Sequence, residues 1–207
     1  MRCLFILSWL LLLSLVEAAS LKAGAASLKE AAQCTSLEPL IKQATHRFLK
    51  EYPYWYNVGL AEVETRCRWV QSLDGHGSIG YFQLTPKFLD HILRPYFPKY
   101  KEPHLDHFYA FAFYLKSLYD TTPVKKLWVV YQRYNGGGWV LRECGMANSY
   151  VWEHCRSKCR RGNVCVWRGI DGCKQYRSAC DINYEYSVKV YKSGLKYKKE
   201  EDKYDYW

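Results

Sequence analysis

The chain has 207 residues, a formal charge of +10 and nine cysteines. With an N-terminal leader set aside, about 189 residues remain, enough for one compact domain with a real core and cramped for a second. The excess positive charge draws the protein toward polyanions. In an exported chain with dispersed basic residues, that favours an anionic cell envelope over nucleic acid.

Residues 1–18 read as a signal peptide: Arg2, an apolar run from Cys3 to Val16, then Val16, Ala18 and Ala19 as a small-residue cleavage site. The run is short for a membrane span and no second candidate follows, so no stable membrane insertion is expected after cleavage. A retained signal anchor is the rival reading. Residues 19–34 form an Ala-, Ser- and Lys-rich flexible lead-in, followed by a main domain over 35–194 and a charged tail over 195–207.

Thr35 or Ser36 can cap a helix running to about Glu51, with Leu40, Ile41, Ala44, Phe48 and Leu49 facing inward. A second helix is expected from about Asn57 to Ser72, ending at the turn cluster Asp74-Gly75-His76-Gly77. Glu64 sits in it among Val58, Leu60, Ala61, Val63 and Cys67. A carboxyl group in apolar surroundings resists ionising, and a proton held near neutral pH can be given to a leaving oxygen. Thr85-Pro86 resembles an N-cap and N1 proline opening a short helix to about Leu93. After a proline- and lysine-bearing loop, an aromatic helix is expected from Leu105 to Tyr119, with Phe108, Phe111, Ala112 and Leu115 on its core side. Thr122-Pro123 starts a further helix to Asn135, stopped by Gly136.

Cys3 leaves with the leader, and the eight remaining cysteines, from Cys34 to Cys180, imply four disulfides among 105 conceivable pairings. Zinc is the competing use of the cluster over 144–180, but its spacings do not give two CxxC knuckles, so no metal is expected. Within that insert, VCVWRGIDGCKQYR suggests two short strands turning near Ile170-Asp171-Gly172.

Three blocks in order carry a resemblance: Glu64-Thr65, GYFQLTP from Gly80 to Pro86, and YNGGG from Tyr134 to Gly138. They are similar to the Glu-Ser, GLMQ and AYN blocks of the soluble lytic transglycosylases, relatives of goose-type lysozyme that cut bacterial peptidoglycan. DINYEYSVKV near the end resembles the family's closing helix, with Tyr186 the nearest match to its cleft tyrosine. The resemblance implies a mainly α, lysozyme-like domain carrying the disulfide-rich insert. It implies Glu64 as the catalytic acid, with Thr65, Gly80, Tyr81, Gln83, Tyr134, Asn135 and Tyr186 on the substrate. Tyr134 would hydrogen-bond near Glu64, and Asn135 would fix the local loop. Tyr81-Phe82 stands where the family has Leu-Met, and Arg133 where it usually has Ala.

The implied reaction cleaves the MurNAc-GlcNAc β-1,4 bond by an attack of the sugar's own 6-hydroxyl, without cofactor, in an exported, monomeric enzyme of the periplasm or envelope. Its partners would be peptidoglycan glycan strands. Glycoside hydrolysis usually enlists two carboxylates, and Asp74 could be the second in a lysozyme-like hydrolase. Asp-Gly is also a strong turn pair, which is the favoured role for Asp74. Glu62, two residues from Glu64 on a helix, should face elsewhere. A silent glycan-binding module, a small secreted inhibitor or toxin held by disulfides, and a chitinase-like enzyme complete the alternatives.

Overall fold

The structure, a computed structural model, describes residues 33–72, 76–200 and 202. The expected leader, most of the lead-in, Asp74 and the end of the tail lie outside them. Helix α1 covers 33–48, α2 Tyr54–Thr65, α3 Pro86–Leu93, α4 Leu105–Asp120, α5 Leu127–Gly136, α6 Trp139–Ala147, α7 Trp152–Ser157 and α8 Ala179–Gly194. One antiparallel pair, β1 (Asn163–Gly169) and β2 (Gly172–Ser178), precedes α8. The chain is thus mainly helical with a small two-stranded sheet.

Helix α2 is the axis of the core. Tyr54 to Ala61 are all buried, so α2 is apolar nearly all round and has little amphipathic stripe. It lies against α8 so closely that a Cβ on Gly59 would come within 2.4 Å of the Gly194 backbone nitrogen. Only glycine allows that approach. One polar group inside α2 is satisfied from two sides: Asn57 Nδ2 donates to Thr45 Oγ1 and its Oδ1 accepts from the Tyr131 hydroxyl.

The expected end of α2 at Ser72 is corrected to Thr65. Arg66 and Cys67 both take positive φ, 55° and 57°, which closes the helix with a left-handed cap. Cys67 is bonded to Cys34 at the start of α1, and that link turns the chain back. Thr35 and Ser36 are also not caps. They lie inside α1, which includes Gln33 and Cys34 of the expected lead-in. Ile41 and Ala44 are buried as expected, but Leu40 is exposed.

α3 begins at Pro86 after Thr85, and α4 buries Phe108, Phe111, Ala112 and Leu115. α5 starts at Leu127 rather than Thr122, because Thr122 turns its hydroxyl back onto the Leu118 carbonyl and Arg133 grips the same turn. Gly136 is still helical, and Gly137, at φ 68°, makes the stop.

All eight cysteines from Cys34 onward are paired: Cys34–Cys67, Cys144–Cys155, Cys159–Cys180 and Cys165–Cys173. Two helices that the sequence pattern does not announce, α6 running into the insert and α7 within it, pack beside the disulfides. The insert builds a second small core from Trp128, Val140, Tyr184 and four half-cystines. At its centre the buried Glu143 pairs with Arg161 at 3.0 Å and accepts from the Tyr184 hydroxyl. A buried carboxylate is tolerable only with such partners.

The expected free tail is also corrected at its start. Leu195–Tyr197 form a 3-10 turn, Tyr197 is buried, Lys196 and Tyr197 both bond Glu62, and Lys199 pairs with Glu38. Residues Lys196, Tyr197 and Lys199 are thereby fastened to α1 and α2. Among the described residues, no helix is long and apolar enough to cross a membrane.

Candidate active site

Glu64 occupies the last turn of α2, two residues before the cap Arg66. Its Oε1 accepts a hydrogen bond from the Tyr186 hydroxyl of α8 at 2.5 Å. Burial pushes the Glu64 carboxyl up to about 7, and the Tyr186 bond partly opposes that rise. No other described carboxylate bears on its titration. Burial, with the Glu64 charge beside them, pushes both the Tyr186 and Tyr134 phenols well up, so each stays a neutral O–H donor.

The GYFQ segment is a tight turn held on several sides. Ile79 and Leu84 exchange backbone bonds, the Gly80 N–H donates to the Val70 carbonyl, and Gln83 takes φ 51°. Gln83 Nε2 lies against the carbonyls of Val70 and Gly80, so its amide hydrogens close the turn and its Oε1 is the atom left to meet a ligand. Tyr134 donates to the Phe82 carbonyl at 2.6 Å, and the Thr65 hydroxyl lies 3.0 Å from the Tyr81 carbonyl. Tyr134 and Thr65 therefore hold the turn against α5 and α2, while the direct bond to Glu64 comes from Tyr186.

Gly80 also has a packing reason. Its φ is 75°, and a Cβ there would come within 2.2 Å of the His107 ring and 2.9 Å of Trp69. The glycine makes room for a buried histidine. Tyr81 packs edge-on to Trp69 and tilted on Phe108, and Phe82 stacks on Phe111 with centroids 3.8 Å apart. These aromatic rings fix the turn from below.

Asn135 Nδ2 donates to Asn183 Oδ1, and the link continues through Gln132 to Ser187, joining the end of α5 to α8. Beside this seam lies a groove of about 450 Å³ lined by Gln83, Thr85, Phe88, Arg133, Tyr134 and Asn135 among others. Three of the residues expected from sequence, Gln83, Tyr134 and Asn135, line the groove; Tyr186 holds Glu64, and neither of these two is among the groove's lining residues. Another cavity, about 320 Å³, lined by Tyr52, Pro53, Tyr119 and Leu127, holds none of them.

Sequence reasoning missed His107, Trp69 and the α5–α8 amide seam. His107 Nδ1 bonds the Tyr100 carbonyl at 2.7 Å, and burial pushes the ring down to about 4, so it is neutral. The available signal was a histidine inside an otherwise aromatic and aliphatic helix. Glu62 points away from Glu64 to Lys196 and Tyr197. Among the described residues, no cluster of three or more His, Cys, Asp or Glu is placed to hold a metal ion.

Glu64 is not among the residues lining the groove, but its charge acts on Tyr134, which is; a neutral carboxylic acid anchored through one oxygen can give up its proton from the other and take one back. Compared with known proteins, the chain matches no family model, no curated protein and no solved structure.

Proposed function

We propose that the protein is a lytic transglycosylase of lysozyme-like architecture that cleaves the MurNAc-GlcNAc bond of peptidoglycan. The observation that supports this most is Glu64 itself: a single acid, raised to about 7, with one oxygen on Tyr186 and no described carboxylate partner. Among the described residues no second carboxylate reaches Glu64, and a transglycosylase needs none; Asp74, which a water-placing hydrolase would use, lies outside those residues.

In the proposed reaction, Glu64 passes its proton to the bridging oxygen as the bond from that oxygen to C1 of the MurNAc breaks. The sugar's acetamido oxygen steadies C1. Tyr186 stabilises the carboxylate now formed, because its hydrogen bond is stronger to the charged acid than to the neutral one. Glu64 then takes the proton of the 6-hydroxyl as O6 bonds to C1. The acid is regenerated, no water enters, and the product ends in a 1,6-anhydro sugar. Gln83 Oε1 and the Asn135 amide would meet sugar hydroxyl or acetamido groups in the groove.

Four disulfides fit an exported protein, as access to a cell wall requires. The test is Glu64→Gln, which keeps the side-chain shape and removes the transferable proton. Solubilisation of purified peptidoglycan should fall by at least ~100-fold while the fold persists. Retained activity would remove Glu64 from the role.

A further inference from the structure

The β1–β2 hairpin is an exposed ridge. Neither strand contains a buried residue. Trp167 is 64% exposed, Tyr176 62% and Ile170, at the tip, 101%. Val166 is exposed beside them. The hairpin needs no core to hold its shape, since Cys165–Cys173 ties its strands and Cys159–Cys180 ties its base to α8. Large apolar groups that do no packing usually mark an interaction surface.

The charge along the ridge segment is mostly basic, with Arg161 paired to Glu143. From Arg160 to Ser178 the chain carries five Lys or Arg and one acid, Asp171. Arg177 is paired with Glu185 and Lys174 with Asp171, but Arg160 and Arg168 have no carboxylate partner among the described residues. A polyanionic glycan would satisfy the cations and leave Ile170 and Val166 wet. A protein partner would cover the apolar groups, but a convex tip with interspersed cations offers no pocket for its anchors. An anionic bilayer surface satisfies both: the apolar tip enters the headgroup region, Trp and Tyr rings sit at the interface, and the arginines meet lipid phosphates.

We propose that this hairpin docks the protein peripherally on membranes rich in anionic phospholipid, through Trp167 and Ile170 with Arg160 and Arg168 around them. The proposal is independent of the reaction assigned to Glu64. It concerns a surface contact and requires no membrane-spanning segment.

The test uses the secreted chain after loss of its leader, with disulfides intact, and co-sedimentation with vesicles of phosphatidylglycerol or of phosphatidylcholine. Partitioning onto phosphatidylglycerol should exceed that onto phosphatidylcholine by at least ~10-fold at low salt. The double variant Trp167→Ser, Ile170→Asp should lose at least ~10-fold on phosphatidylglycerol. Its melting temperature should stay close to that of the unaltered chain, since Ile170 is fully exposed and Trp167 lies outside the core. A chain that ignores both vesicles overturns the proposal, as does binding that the double variant leaves intact, which would reflect overall charge alone. A purified protein partner that binds the hairpin while vesicles do not would overturn it in favour of a protein-docking ridge.

Discussion

The Tyr186 hydroxyl donates to Oε1 of Glu64 across 122 positions of sequence, joining the last turn of α2 to the closing helix. That bond favours the ionised acid. Tyr186→Phe should therefore raise the Glu64 pKa above about 7 and shift the alkaline limb of kcat/KM upward. kcat should drop by ~10- to 100-fold as the acid loses its orientation, for a stability cost of about 1 kcal/mol. A pH–rate profile reads both effects; a limb that stays or moves down contradicts the assignment.

Glu64 also makes stability depend on pH. Its folded value, about 7, lies above the ordinary 4.5, so between these the native state holds more of the proton than the unfolded chain. The contribution is full below the unfolded value and is lost as pH rises through about 7. Glu64→Gln cannot titrate. Relative to that variant, the unaltered chain should weaken from pH 5 to pH 8, by at most about 3 kcal/mol. Denaturant titrations at the two pH values measure it, and parallel curves would contradict the buried-acid picture.

Gly80→Ala should be among the most damaging small changes, because the new methyl would strike the His107 ring and φ 75° disfavours any side chain. A loss of about 3 kcal/mol or more is expected. Thermal unfolding tests this. An unchanged midpoint would mean that the turn and His107 can separate freely.

Arg133 ties α5 to the end of α4, its Nη1 reaching the Leu118 carbonyl and the hydroxyls of Thr121 and Thr122. Arg133→Met keeps much of the bulk and removes the donors, so stability should fall by about 2 kcal/mol. Denaturation midpoints decide; no change would leave Arg133 with no part in holding α4 to α5.

How much of this was legible in sequence depends on whether the signal was local. α3 and α4 were readable because Thr85-Pro86 and the Phe108-Phe111-Leu115 spacing are local signals. The hairpin was readable from Ile170-Asp171-Gly172 between valine-rich and polar stretches. The end of α2 was not, since nothing near Arg66 breaks a helix; the chain leaves it through left-handed Arg66 and Cys67, and Cys67 is bonded to Cys34, 33 residues away. α6 and α7 were hidden because their short apolar faces pack on cysteines and on Trp128 and Tyr184. Of the residues the motifs named, Gln83, Tyr134 and Asn135 lie on one groove and Tyr186, named from the closing helix, bonds Glu64. The motifs did not say that Thr65 and Tyr134 hold the turn, nor that Gly80 yields to His107, because those are contacts between distant segments.

Mass spectrometry of the muropeptides released from purified peptidoglycan tests the proposed chemistry most directly. A lone acid that returns its proton while the sugar attacks itself leaves 1,6-anhydro ends, one water lighter than hydrolysed ends, and Glu64→Gln should release neither. Reducing ends alone would contradict it and transfer attention to a water-placing second carboxylate.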